Sequence, residues 1–489
     1  MLKALRHANC GSGPGRAAET RPGLRASPLT ESIPRNQSAG RAQRFAERGI
    51  LWTAAILVLW ACYDQGAFLL PSKTIVAAVA PALGLLWILM RRGGGAGDHP
   101  SGRAGWGAEG WFFAGLAAFG SVSALWSLDW PSSIRAAGIL FGGVAYLLLG
   151  RAVAAGSEEA RASLLFLLCY AGILLSVISV VGWAVGGTPF ALEQDGQRVL
   201  TGTFGYANAY AGFLLLTIMA TVAVFMLRRP TGGFAAVSGR LGWRGVLMAA
   251  ALAPQLVALV LTRARAALAV IVIALALCGV VRTLGARGVS RSRRAMGVGL
   301  VAALAVGAVV GGLMLWSQVA PQMAVSGLPR AVSGTGIDAL ARDTVPMTAD
   351  AFRIKTWMAA LHAFEAQPVV GHGLDSFYLA YAPYKLGAHT TYAHNIVVQH
   401  LVELGVVGTV LLLCFLGAAL LPCVRVLRGS PADPRVPLAL GLVAFVLHNL
   451  VDLTWYFPAL LFIFALVLGF VTSPVPTVDI PAAENETAL

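Results

Sequence analysis

Charge is what this chain has least of: Asp, Glu, Lys and Arg make up 12% of 489 residues, against roughly 25% in soluble globular domains. With 57% hydrophobic residues and a mean hydropathy of +0.74, that scarcity excludes an ordinary water-soluble fold. Cysteine is sparse too. The six, Cys10, Cys62, Cys169, Cys278, Cys414 and Cys423, lie in the N-terminal tail, within apolar runs or at their ends, and none forms a CxxC pair. The pattern argues against a disulfide framework and against a zinc site. Acidic residues are few, 22 against 36 Lys and Arg, for a net charge of +14. The arginines are scattered through short loops and a low-complexity tail rather than interleaved with aromatics. The basic excess therefore speaks for orientation in a membrane and not for nucleic acid.

What the chain does have is long apolar runs. They recur at about 20 residues and end in Arg or Gly/Pro-rich segments, the length of membrane-spanning helices and about twice that of barrel strands. The fold class that follows is all-α, a polytopic membrane helix bundle of about 12 transmembrane helices. The spans are expected near 50–70, 74–90, 109–126, 134–150, 162–186, 208–227, 245–262, 266–281, 296–316, 395–421, 436–452 and 456–473. Residues 1–48, rich in Arg, Gly, Ser and Pro with almost no aromatics, read as a disordered basic tail, and 474–489 as a second disordered tail. Residues 49–473 read as the transmembrane domain. The first apolar run opens only at Ile50 and is too long for the core of a signal peptide.

If the basic tail is cytoplasmic, most Lys and Arg fall in the cytoplasmic intervals. The positive-inside rule then gives a multi-pass protein of the cytoplasmic (inner) membrane with both termini in the cytoplasm. On that topology the segments 187–207 and 317–394 and the corner Thr262–Arg265 share the outer face, where Trp126, Trp130, Trp183, Trp316, Trp455 and Tyr456 sit as an aromatic belt. The interval 317–394 is too long for a plain connection. Between Ala349 and Ala366 the residues Phe352, Trp357, Ala360, Leu361 and Phe364 recur at helical spacing, which predicts an amphipathic helix on the membrane surface. Pro368 and the Gly371-His372-Gly373 turn end it.

Charged residues inside such a chain are costly and mark candidate sites. Arg263 and Arg265 interrupt an apolar run from Ala249 to Val280; they either face an anion or mark a turn and snorkel to headgroups. Arg198 and Arg353 are further cations on the same face. Several guanidiniums converging there suit a diphosphate, whose oxygens each can bind in bidentate fashion, while each alone also suits a headgroup. Six of the eight histidines lie from His362 onward. His394, opening a span at that face, is the candidate general base, since a neutral imidazole accepts a proton near pH 7. No HExxH or similar spacing points to metal. His400 reads as packing. His448 and Asp452, four residues apart, form either an orienting pair or a buried hydrogen bond.

The order GTFGYANAYAGFLLL, LTRARAALAV, Arg353-x-x-x-Trp357, VVGHGLDSF and AHNxxxQxLxELGxxG resembles the O-antigen ligase and polymerase superfamily, over roughly Arg198 to Gly408. The resemblance implies a GT-C-like bundle with one large periplasmic loop, 317–394, containing short helices. It implies that His394 and Arg265 are catalytic; Arg198, Arg263, Arg353, Asn208 and Asn395 are the candidate substrate-binding residues beside them. No metal and no other cofactor is implied. The donor would be an undecaprenyl-diphosphate-linked glycan, and the acceptor a glycan, lipid A core or protein, the whole working among membrane lipids in lipopolysaccharide and cell-envelope synthesis. Ala264 stands where the family has Ser, and Ala207 where it has Pro. A polymerase of lipid-linked repeat units is the alternative, a polysaccharide transporter or flippase the second, and a lipid-linked peptidoglycan polymerase a third.

Overall fold

The computed structural model describes residues 35–93, 106–186, 190–194, 197–227, 242–285, 349–386 and 390–474. Contacts divide the chain into Met1–Phe45 and Ala46–Leu489. In the first unit the described residues, from Arg35, are helical; the bundle is built by the second.

The helices are α1 (Arg35–Tyr63), α2 (Leu70–Gly93), α3 (Ala108–Val122), α4 (Trp130–Ala154), α5 (Glu158–Ala184), α6 (Ala207–Leu227), α7 (Gly242–Leu261), α8 (Arg265–Gly285), α9 (Ala349–Ala366), α10 (Phe377–Tyr381), α11 (Ile396–Arg428), α12 (Arg435–His448) and α13 (Pro458–Thr472). Among the described residues, eight helices are long and apolar enough to cross a membrane, and three shorter apolar ones, Val246–Leu261, Arg435–His448 and Pro458–Thr472, accompany them. The architecture is that of an all-α polytopic membrane protein. The span expected near 296–316, the segment Ser317–Thr348 and the C-terminal tail beyond 474 lie outside the described residues.

Local chemistry sets the helix starts. Asp129 accepts from the Ser132 amide at the head of α4, with Pro131 in the first turn, and Ser157 accepts from the Ala160 amide at the head of α5. The corner at Thr262–Ala264 falls where Arg263 and Arg265 interrupt the apolar run. One element escaped the sequence reading: a short antiparallel hairpin of β1 (Ala191–Gln194) and β2 (Gln197–Leu200), with Ala191 opposite Leu200.

α6 and α13 form the centre, α13 being buried along nearly its whole length. α4 lies against α13 so closely that a Cβ at Gly150 would collide with the Leu466 carbonyl, and one at Gly469 with that of Leu147. Lipid tails are as apolar as leucine, so backbone proximity and dispersion, not the hydrophobic effect, hold such helices together.

α11 carries the feature that shapes the site. At Gly405 its backbone turns to φ 63°, ψ −163°, a region open only to glycine, and the helical ladder breaks. The amides of Val406 and Val407 bond instead to the carbonyls of Pro368 (2.8 Å) and Val369 (3.2 Å). The carbonyls of Val402 and Glu403, which those amides would have met, accept from His372 (3.0 Å) and Gly373 (2.8 Å). The segment 368–373 is thus spliced into the helix, and a Cβ on Gly371 or Gly405 would strike the opposite backbone. The GHG and ELG elements of the sequence are the two halves of this exchange.

The helix predicted over Ala349–Ala366 forms, but its packing face differs from the expected one. Thr356, Ala359, Ala360 and Ala363 are buried, whereas Leu361 is 47% exposed. α9 packs on α10 and α11, and small residues are what such close contact requires; Phe364 packs against the same cluster. The early spans also shift: α1 ends at Tyr63 and a turn at Gln65–Ala67 precedes α2.

Candidate active site

Asp452 lies between α12 and α13, in a corner closed by a turn at Thr454–Tyr456. Its side chain is 2% exposed, and a buried carboxylate must be satisfied from all sides. The Tyr206 hydroxyl donates to its Oδ1 at 3.1 Å, and the Leu453 amide donates to the same oxygen at 2.8 Å. The Asn208 amide donates to Oδ2, and Arg353 Nη2 stands 3.3 Å from it. His394 Nδ1 is 4.0 Å from Oδ1 and is buried without a hydrogen-bond partner among the described residues. One carboxylate thereby gathers the start of α6, helix α9 and the residue pair ahead of α11.

His394 itself is held in an unusual conformation. Its φ is +53°, a left-handed value that few non-glycine residues adopt. The peptide before it is fixed at both ends: Gln399 Oε1 accepts from the Ala393 amide at 2.6 Å, and the Trp357 indole donates to the Ala393 carbonyl at 2.7 Å. Asn395, next in the chain, caps α11 by accepting from the amides of Val397 and Val398 and donates to the Leu450 carbonyl at 2.8 Å. Phe352 meets the imidazole edge-on at 6.1 Å.

Burial lowers the His394 pKa from its ordinary value; the Asp452 charge pulls it back up, and Arg353 pushes it down. The imidazole is therefore held neutral near pH 7. Burial, reinforced by the Asp452 charge, pushes the Tyr206 phenol well above its usual range, so it remains a donor to that carboxylate.

Of the residues read from the sequence, His394, Arg353 and Asn208 meet at Asp452. Asn395 stands beside them, its amide engaged in the cap and in the Leu450 contact. Arg265 is exposed as the first residue of α8, and Arg263 is exposed in the preceding corner with φ +55°. Arg198, on β2, lies over the Trp183 ring at 5.4 Å. With Gly186, Ala191, Leu192 and Glu193 it lines an open pocket of about 290 Å³. The guanidinium beside the histidine is that of Arg353. His448 closes α12, so Asp452 lies beyond the helix end and is not its i+4 neighbour on a helical face. Asp452 and Tyr206 are the functional candidates that sequence reasoning did not place in the site. The available signal was a carboxylate in an almost uncharged stretch of apolar residues.

Residues 247–413 match the O-antigen ligase family model. The match places this segment, about a third of the chain, in the O-antigen ligase superfamily. It takes in Arg263, Arg265, Arg353, His394 and Asn395, and leaves Tyr206, Asn208 and Asp452 outside. The O-antigen ligase segment thus contributes the histidine and the nearby guanidinium, while the carboxylate that joins them comes from the corner after α12. No curated protein matches the chain.

Proposed function

We propose that this protein transfers a preassembled glycan from an undecaprenyl-diphosphate carrier to an acceptor hydroxyl at the outer face of the cytoplasmic membrane, both termini being cytoplasmic. The observation that carries the reading is the pairing of a neutral, conformationally fixed His394 with buried Asp452. With Nδ1 turned to Asp452, the neutral tautomer leaves the Nε2 lone pair to take the acceptor proton, and the carboxylate stabilises the imidazolium that results. The freed acceptor oxygen attacks the anomeric carbon as the carbon–oxygen bond to the diphosphate breaks, and one displacement inverts the centre. Arg265, with Arg263, Arg353 and Arg198, provides positive charge for the departing diphosphate in place of a metal. Asn208 and Asn395 are the polar contacts proposed to the substrate beside them.

The test is transfer in vitro from a defined undecaprenyl-diphosphate glycan, with chelator present. His394→Ala and Arg265→Ala are expected to abolish transfer in protein that is still inserted and folded. Wild-type transfer by both variants rules the mechanism out. Ligase and polymerase are separated by the glycans of a deletion strain. Loss of all attachment marks a ligase; short glycans that stay attached mark a polymerase.

A further inference from the structure

Another buried ion pair lies near Tyr392, two residues before His394. Lys73, in the first turn of α2, sets Nζ 2.7 Å from Asp375 Oδ2, with the two side chains 12% and 11% exposed. Its charge lies within electrostatic reach of the Tyr392 hydroxyl. Asp375 has φ +59° and lies two residues beyond the spliced segment 368–373. Tyr392 is buried, with its ring 4.9 Å from Tyr456 and 5.8 Å from Phe68. Residues 392–395 are thus held from several sides: Tyr392 by the rings of Tyr456 and Phe68, beside the Lys73–Asp375 pair, Ala393 through Gln399 and Trp357, and Asn395 through Leu450.

A left-handed residue such as His394 persists only where its surroundings over-determine it. Gln399 is on α11 and Trp357 on α9, both inside residues 247–413; Lys73 reaches in from a helix far earlier in the chain. We propose that Lys73 is a positioning residue for His394: through Asp375 and Tyr392 it holds the 392–394 turn in the conformation that sets the imidazole beside Asp452. The inference rests on His394 being the base of the proposed transfer.

The experiment uses the full chain in lipid nanodiscs with three variants, Lys73→Met, Lys73→Arg and the double variant Lys73→Met/Asp375→Asn. The double variant leaves no unpaired buried charge and so tests the idea even where Lys73→Met fails to insert. Two quantities are read: kcat and KM for the lipid-diphosphate glycan, and the rate at which diethyl pyrocarbonate modifies His394, mapped by mass spectrometry. Displacement of a reacting group by an ångström or less costs about 10- to 100-fold in rate. Lys73→Met and the double variant should therefore lose about tenfold in kcat with KM within about twofold, and His394 should be modified several times faster. Lys73→Arg, which keeps the donor and the charge, should restore both. A folded double variant with wild-type kcat and wild-type modification overturns the proposal. So does one whose kcat falls while modification stays unchanged, since His394 is then not displaced, and so does failure of the double variant to insert, which assigns Lys73 a role in folding. The modification rate needs no turnover, so it decides the role of Lys73 even if the proposed transfer reaction is wrong.

Discussion

Replacing Asp452 by Asn keeps the shape of the side chain and removes its charge. At 4.0 Å and an effective dielectric of about 20, a carboxylate and an imidazolium attract by about 4 kcal/mol. Arg353, 3.3 Å from the same carboxylate, already satisfies part of that charge, and the imidazole is 16% exposed. A net loss of about 1.5–3 kcal/mol is therefore expected in the step that forms the imidazolium, roughly 10- to 100-fold in kcat. The pH profile supplies a second and independent signature. His394 works as a base in its neutral form, and burial lowers its pKa below 6.5, so wild-type kcat/KM should climb through a limb below that pH. Asp452 is the group that raises this pKa; with it gone, burial and Arg353 remain and both lower it. The Asp452→Asn limb must move to still lower pH while the plateau falls. Rates measured from about pH 4.5 to 8 with a defined undecaprenyl-diphosphate glycan, on protein checked for insertion and thermal unfolding, decide the matter. An unchanged plateau, or a limb displaced upward, refutes the pairing.

Gly405→Ala should be among the most damaging single substitutions. It places a Cβ against the Val369 backbone at a φ/ψ that only glycine tolerates, and a loss of about 2–4 kcal/mol should appear as a lower unfolding temperature in detergent. Trp357→Phe replaces the indole by a smaller aromatic ring and deletes the donor to Ala393; about 1 kcal/mol and a several-fold lower kcat are expected with little change in KM. Asn395→Ala removes a helix cap, so unfolding should come about 1–2 kcal/mol earlier. If transfer falls while the unfolding temperature does not, Asn395 acts on substrate and not as the cap.

The bundle was legible because lipid imposes long apolar runs, and these survive any uncertainty in helix ends. His394 and Arg353 were legible because ionisable residues are rare in such a chain and stand out. Four things were not. The spacing pairs Asp452 with His448, on which its charge does act, but its contacts with Tyr206, Asn208, Arg353 and His394 join distant parts of the chain that no local pattern links. The apolar stripe expected on α9 shares only Ala360 with the buried set Thr356, Ala359, Ala360 and Ala363; sequence patterns weigh hydrophobicity, and tight packing selects for small size. The hairpin at 191–200 has only four residues in each strand, too few for alternation to register against apolar surroundings. The link from Lys73 to Asp375 spans 302 positions, and no local pattern encodes it.

The splice at Gly405 also bears on how the chain is assembled. A helix broken within lipid strands amides and carbonyls that water cannot reach, each costing several kcal/mol; here four of them are met by residues 368–373, only some 30 positions upstream. The partner for the break has therefore already been synthesised when α11 emerges, and it is tethered at high effective concentration by a short loop. The exchange can close before α12 and α13 exist, and the corner bearing Asp452 is then added to a histidine whose turn is already anchored on α11. Shortening or deleting 368–373 should stop α11 from entering the membrane as a single element, a defect of biogenesis visible before any question of catalysis arises.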